Sequence, residues 1–467
     1  MKMLHLFALA AVLALSSCAS RDATSASHSA TASPPPDDSQ LAPTPPMGWN
    51  SWDSFGTTIQ EDDFKANASW LAEHLKSYGW QYAVVDMEWF VTNPTAEGNS
   101  RNSQFSMDEN GRYIPAPNRF ASSTNGAGFK PLADHTHALG LKFGIHMLAG
   151  IPKQAVQSNL PIAESPYHAA AAADTSATCS WNPDNYGLNP ANPAAQAYYD
   201  SIAQLYASWG VDLIKADCIA SGPYKDDEIR MLSLALRKTG RPIVLSLSPG
   251  PAPIEKLGEM RKYAQMWRIS SDVWDMWHST VAYPQGLGDQ FPRVAKWAGL
   301  AEPGHWPDAD MLPLGNLSPA PGWGKPRQTA LTHDEQRTLL TLWCMFRSPL
   351  MMGGNLPSSD AWTTSLLTNR EVIEIDQHSS GNRPVISTDG TVVWLARAAV
   401  ENTYYIAVFN LENASETVRY QWKDLGLDGA TYQLRDLWEQ KDLGPANAVT
   451  ATLPAHGTAL YRISVAN

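Results

Sequence analysis

Val211-Asp212-Leu213-Ile214-Lys215-Ala216-Asp217 is the stretch that decides the fold. Val211, Leu213 and Ile214 make it a short buried strand, and the Trp209-Gly210 pair ahead of it is turn-prone. Side chains alternate along a strand, so Lys215 and Asp217 share one face at its C-terminal end. In a closed parallel barrel that face points into the mouth, where such barrels keep their chemistry. A lysine beside an aspartate favours the ionised carboxylate, and an ionised, positioned aspartate can act as a nucleophile. The same stretch also fits a plainer role, with a strand-end aspartate capping the next helix and the lysine as its ion-pair partner.

Outward from this strand, residues 45–378 alternate between strand-like and helix-like segments. The strand candidates are Met47–Trp52, Tyr82–Phe90, Lys142–Met147, Asp212–Asp217, Pro242–Ser248, Met266–Ile269, Trp306–Met311 and Pro349–Met352. Amphipathic segments lie between them, among them Glu61–Tyr78, Leu132–Leu139, Ala194–Trp209, Asp226–Lys238 and His333–Met345. Eight strands with helical connections predict an α/β fold, a (β/α)8 TIM barrel. An open doubly wound sheet is the alternative, but the chain has neither a Rossmann fingerprint nor a P-loop. Residues 379–467 read differently. Thr391–Ala396, Tyr404–Asn410, Thr417–Trp422, Tyr432–Asp436 and Ala459–Ile463 are short and β-rich, separated by turns such as Asp389-Gly390 and Asp428-Gly429. They predict a small C-terminal antiparallel β-sandwich.

The ends and the composition narrow the setting. The chain has 467 residues, 43% of them hydrophobic, enough for a sizeable core. Its formal net charge of -12 argues against a nucleic-acid partner. Residues 1–18 read as an export signal, apolar from Leu4 to Leu15 apart from His5 and too short to span a membrane. The signal ends in Leu15-Ser16-Ser17-Cys18, which resembles the bacterial lipobox cut before a lipidated cysteine. Ala19 after it fits sorting to the outer membrane of a Gram-negative cell. The expectation is an exported lipoprotein whose only membrane contact is the lipid on Cys18. Residues 19–44, rich in Ser, Ala, Thr and Pro, predict an extended tether. Of the other cysteines, Cys179, Cys218 and Cys344, the first two form one candidate bridge, and free buried thiols are the reading taken. No zinc-type spacing occurs, so neither a metal nor a cofactor is expected.

Polar groups collect at the ends of the strand candidates: Trp52, Asp86, Glu88, His146, Lys215, Asp217, Arg268, Asp272, Asp308 and Asp310. A barrel would bring them together, and two carboxylates there can divide glycosidic cleavage between a nucleophile and an acid/base. The motifs sharpen this. Thr44-Pro45-Pro46-Met47-Gly48-Trp49-Asn50-Ser51-Trp52 resembles the opening of glycoside hydrolase family 27, the α-galactosidase or melibiase family. Gly140-Leu141-Lys142-Phe143-Gly144-Ile145-His146 resembles its third strand, and Lys215-Ala216-Asp217 its nucleophile strand. Trp267-Arg268 followed by Asp272 resembles its acid/base segment, and Trp306-Pro307-Asp308-Ala309-Asp310-Met311 its late-barrel signature.

The resemblance implies Asp217 as nucleophile and Asp272 as acid/base. It implies sugar contacts from Trp52, Asp86, Glu88, His146, Lys215, Arg268 and Asp310. Three departures bear on the sugar. The family's typical α-galactosidases carry two adjacent aspartates where this chain has Asp86-Met87-Glu88. Pro249-Gly250 replaces the Glu-Trp that often reads the 2-position. The cysteine pair that usually brackets the nucleophile is unmatched, with Gln154 and Ile219 in its places. The expected activity is retaining removal of terminal α-linked galactose. The alternatives are an α-N-acetylgalactosaminidase or β-L-arabinopyranosidase, and, in another class, a non-catalytic carbohydrate-binding lipoprotein. Alternation along the second strand is expected to put Asp86 and Glu88 on the same pocket face.

Overall fold

In the computed structural model, residues 38–95, 102–318, 324–428 and 431–465 are described. The signal segment and most of the tether, Cys18 included, lie outside them.

Eight short strands, buried because Val, Ile, Leu, Met and Trp dominate them, pair in parallel. They are β1 (Met47–Asn50), β2 (Tyr82–Val85), β3 (Lys142–Leu148), β4 (Leu213–Asp217), β5 (Val244–Leu247), β6 (Met266–Arg268), β7 (Trp306–Asp308) and β8 (Leu350–Met352). Their spatial order is β7-β6-β5-β4-β3-β2-β1-β8. The two outer strands meet through a parallel bridge between Leu312 and Met352, so the sheet curls into the predicted barrel. Tyr82, Val84, Leu213, Val244, Met266, Trp306, Met311 and Met351 fill the lumen. Ala42 joins them, and its carbonyl accepts Trp306 Nε1–H at 2.9 Å. The end of the expected tether is therefore folded onto the barrel, beginning with a helical turn at Asp38–Leu41.

The helix Pro193–Trp209 shows how the sequence delivers β4. The Asn192 side chain accepts the Ala194 N–H, Pro193 starts the helix, and Gly210 ends it at φ 86. That left-handed turn is cheap for glycine and drops the chain straight into Val211 and β4.

Two features depart from the sequence reading. β2 stops at Val85 instead of running to Phe90, and residues 87–90 form a turn. After β3 the chain also leaves the barrel to build a small antiparallel sheet from Ile151–Pro152, Ala173–Thr178 and Asn185–Leu188. Cys179, just beyond its middle segment, is disulfide-bonded to Cys218, which directly follows β4. The free-thiol reading therefore fails for this pair, because the sheet carries residue 179 back to the barrel, with the two Cα atoms 5.9 Å apart. Cys344 is free and buried.

The barrel's last helix ends at His378, and the sandwich follows. One sheet runs in the order 380–387, 391–397, 403–410, 458–465, 432–436 and 441–446, and strands 416–421 and 448–453 form the other. Along Thr391–Arg397 the side chains alternate between two cores. Val393 and Leu395 pack between the sheets, while Val392, Trp394 and Ala396 join the barrel's core. The buried helix His333–Phe346 lies at this junction, started by a Thr332–Glu335 capping box. Polar ties reinforce it. Arg435 grips Glu371 with two bonds of 2.7 Å, and His456 meets Glu335 at 2.7 Å.

Among the described residues, no helix is long and apolar enough to cross a membrane.

Candidate active site

The C-terminal ends of β1 to β4 bring one polar group together. Asn50 Nδ2 and Lys215 Nζ both donate to Asp86 Oδ2, at 2.7 and 2.8 Å, and the Met87 N–H donates to Oδ1 at 2.8 Å. Burial alone would raise the Asp86 pKa. The charges of Lys215 and His146 and these hydrogen bonds outweigh it and bring the carboxyl down to about 2. Lys215 is pulled down by burial but held above its usual range by Asp86 and Asp217.

Asp217 accepts the Cys218 N–H at Oδ1 (2.7 Å) and faces His146 Nε2 at Oδ2 (3.0 Å). Burial opposes its charge, yet the His146 bond, the charges of His146 and Lys215, and the Cys218 amide hold its pKa below the ordinary value. A carboxylate kept ionised while almost dry is a competent nucleophile. Register explains the contact. His146 pairs with Lys215 across β3 and β4, two rungs before Leu148 pairs with Asp217, so the His146 and Asp217 side chains share a face. His146 was expected to touch sugar. In the structure it lies against the Asp217 carboxylate, buried, with no hydrogen-bond partner for Nδ1 among the described residues.

The ends of β6 and β7 supply a second group. Arg268 Nη2 reaches Asp310 Oδ2 at 2.7 Å and Asp272 Oδ1 at 3.2 Å. Asp310 also accepts the Val273 N–H at 2.7 Å. Burial pushes the Asp310 carboxyl up to about 7 against the pull of Arg268, with Asp272 and Asp308 pushing the same way. Asp308 takes the Asp310 N–H at 2.9 Å. The Asp272 side chain is 26% exposed against 10% for Asp217. That contrast suits one group that must exchange protons with water and another that must not. Arg268 contributes to the potential at Lys215, so the two groups sit within electrostatic range.

The structure places the remaining predicted residues as follows. Trp52 is half-buried and packs on the lumen cluster. Glu88 does not follow strand alternation, because β2 has already ended and residue 88 adopts φ 63. Its carboxyl is buried without a hydrogen-bond partner among the described residues, and its charged neighbours are Asp184 and Arg119. Burial and Asp184 push it up to about 8. At the other edge, a Cβ on Gly250 would fall 2.1 Å from Ser270 O, so that position is closed by main chain.

Sequence reading missed three polar residues. Asn50 lies inside the quoted opening motif, but nothing in a lone asparagine announces a bond to Asp86. Asp53 is buried in the turn after β1. Burial and Asp310 drive its carboxyl well above the usual range, and a Cβ on Gly353 would come within 1.9 Å of its Oδ2. Tyr283 hydrogen-bonds Asp272 from a loop eleven residues further along.

Known proteins carry the same plan. The family model for alpha galactosidase A matches residues 186–378, and that for the alpha galactosidase C-terminal beta sandwich domain matches residues 388–463. An α-galactosidase of Cyamopsis tetragonoloba is 28% identical, over 90% of this chain and 86% of its own. An α-N-acetylgalactosaminidase of Gallus gallus is also 28% identical, over 86% and 88%. A family 27 β-L-arabinopyranosidase of Geobacillus stearothermophilus superposes with a TM-score of 0.88 at 45% identity, covering 92% of this chain and 98% of that one. Identity of that degree along nearly the whole of both chains, barrel and sandwich alike, makes this protein a glycosidase of glycoside hydrolase family 27.

Proposed function

We propose a retaining exo-glycosidase that removes terminal β-L-arabinopyranose in preference to α-D-galactose. Asp217 attacks the anomeric carbon while Asp272 gives its proton to the departing glycosidic oxygen. The resulting ester is then opened by a water that Asp272, now a carboxylate, deprotonates, and Asp217 leaves as it began. Lys215 holds Asp86 and keeps positive charge near the nucleophile. Arg268 does the same for Asp272.

The choice of sugar rests on position 87. β-L-Arabinopyranose has the ring and hydroxyl arrangement of α-D-galactopyranose without its hydroxymethyl group. Where typical α-galactosidases have a second aspartate, this chain has Met87, whose thioether is a weak acceptor. Glu88, the acid that could have replaced it, is buried past the end of β2 at φ 63, with Asp184 and Arg119 the charged groups that act on it. Met87 is 8% exposed yet belongs to none of the buried apolar clusters. The 45%-identical arabinopyranosidase supports the same reading. The 28%-identical α-galactosidase favours α-galactosides as the second substrate.

Nitrophenyl β-L-arabinopyranoside, α-D-galactoside and α-N-acetylgalactosaminide decide between them. The wild type should prefer the arabinopyranoside. Met87→Asp should shift the kcat/KM ratio toward galactoside by roughly ten- to a hundredfold, the worth of about 1.5–3 kcal/mol for a charged hydrogen bond. Wild-type preference for galactoside, unmoved by Met87→Asp, would overturn the assignment.

The setting proposed for this activity is the outside of a cell membrane, with the enzyme held by lipid on Cys18.

A further inference from the structure

We infer that Trp181 and Tyr283 flank the exit from the sugar pocket and form a subsite for a pyranose ring on the leaving-group side. The inference rests on the assignment of Asp217 and Asp272 given above. Two aromatic side chains stand among the large apolar groups exposed on the described surface, Trp181 at 42% and Tyr283 at 46%. Each is attached to one of the two carboxylates by a separate device.

Tyr283 hydrogen-bonds Asp272 through its hydroxyl. Its loop is closed onto the same residue, since the Gln285 N–H donates to the Asp272 carbonyl at 2.9 Å and Val273 bridges to Gln285. Asp289 fixes the outer part of that loop by accepting the Ser279 and Gly286 N–H groups at 3.0 and 2.9 Å. Val281, on the same loop, is also open to solvent.

Trp181 lies two residues beyond Cys179, in the turn between Ala173–Thr178 and Asn185–Leu188. The disulfide ties that turn to Cys218, the residue after Asp217. The Lys153 N–H to Asp184 carbonyl bond, at 3.0 Å, holds its far side.

The chemistry gives these rings a purpose. The acid/base must reach the glycosidic oxygen, so whatever that oxygen carries departs alongside Asp272. An exposed aromatic ring held beside that path offers a flat face on which an apolar surface can stack. A pyranose supplies one through its axial C–H groups while its hydroxyls stay in water, an arrangement suited to amphipathic aromatics. The natural substrate would then carry its terminal sugar on another sugar, not on a small alcohol.

The test compares a glycosyl fluoride, which has no leaving-group ring, with a disaccharide of the same terminal sugar. The sugar is whichever of L-arabinopyranose and D-galactose the wild type releases from its fluoride. Trp181→Ala and Tyr283→Ala should each lower the disaccharide-to-fluoride ratio of kcat/KM about tenfold, mainly through the disaccharide KM. Trp181→Phe, which keeps a ring and touches neither carboxylate, should restore most of it. A ratio unchanged in both alanine variants overturns the subsite and leaves the catalytic assignment standing. Wild-type turnover of neither fluoride overturns both.

Discussion

Asp217 is held ionised by His146, Lys215 and the Cys218 amide, and of the side chains His146 is the one that bonds its carboxylate. Replacing His146 with Ala removes the 3.0 Å bond that lowers the Asp217 pKa. The acidic limb of the kcat/KM profile should then move to higher pH, with kcat down about ten- to a hundredfold and KM little changed. An unmoved limb would show that His146 only fills space. Glu88 offers a stability test of opposite sign. Its folded pKa of about 8 exceeds the ordinary 4.5 of a glutamate, so the folded state binds the extra proton between those values. Stability therefore falls as pH rises through that window. Glu88→Gln should raise Tm, and by more at pH 8 than at pH 5, in thermal melts at both. Lys215 and Asp217 were legible in sequence because both sit on a strand, where period-2 alternation holds. Glu88 was not, because one left-handed residue past the end of β2 cancels that rule. His146 was legible as a mouth residue, but its partner depends on the β3–β4 register.

At the scale of elements, the disulfide between the 173–188 hairpin and the end of β4 does two jobs, closing a long loop and fixing the turn that carries Trp181. It spans 39 residues, and removing such a link costs roughly 2–4 kcal/mol. Cys179→Ser should lower the denaturation midpoint accordingly, and dithiothreitol should destabilise the wild type but not the variant. All eight barrel strands were legible, since apolar runs bounded by Gly, Pro and charged ends survive any packing detail. The hairpin was not. Its Ala-rich approach, Ala169 to Ala173, reads as helix, and Asp174-Thr175-Ser176 reads as loop. In the sandwich, strands 380–387, 441–446 and 448–453 escaped notice; Gly381, Pro384, Gly444 and Pro445 interrupt the patterns of the first two.

For the whole molecule, the proposed lipid on Cys18 would set where the enzyme works. With Cys18 lipidated, the protein should fractionate with membranes and be released by detergent. Cys18→Ser should appear in the soluble fraction with its glycosidase activity intact. Identical fractionation of the two would remove the anchor. The barrel and sandwich themselves share one continuous core through Val392, Trp394 and Ala396, with Val393 and Leu395 turned the other way. A strand facing two interiors in strict alternation has no neutral frame. Adding one residue within 391–397 would trade the two sets of side chains and mispack both lobes in a single event, whereas adding two would restore the parity. Length variation among related chains should therefore avoid this segment and gather in the solvent-facing turns on either side of it.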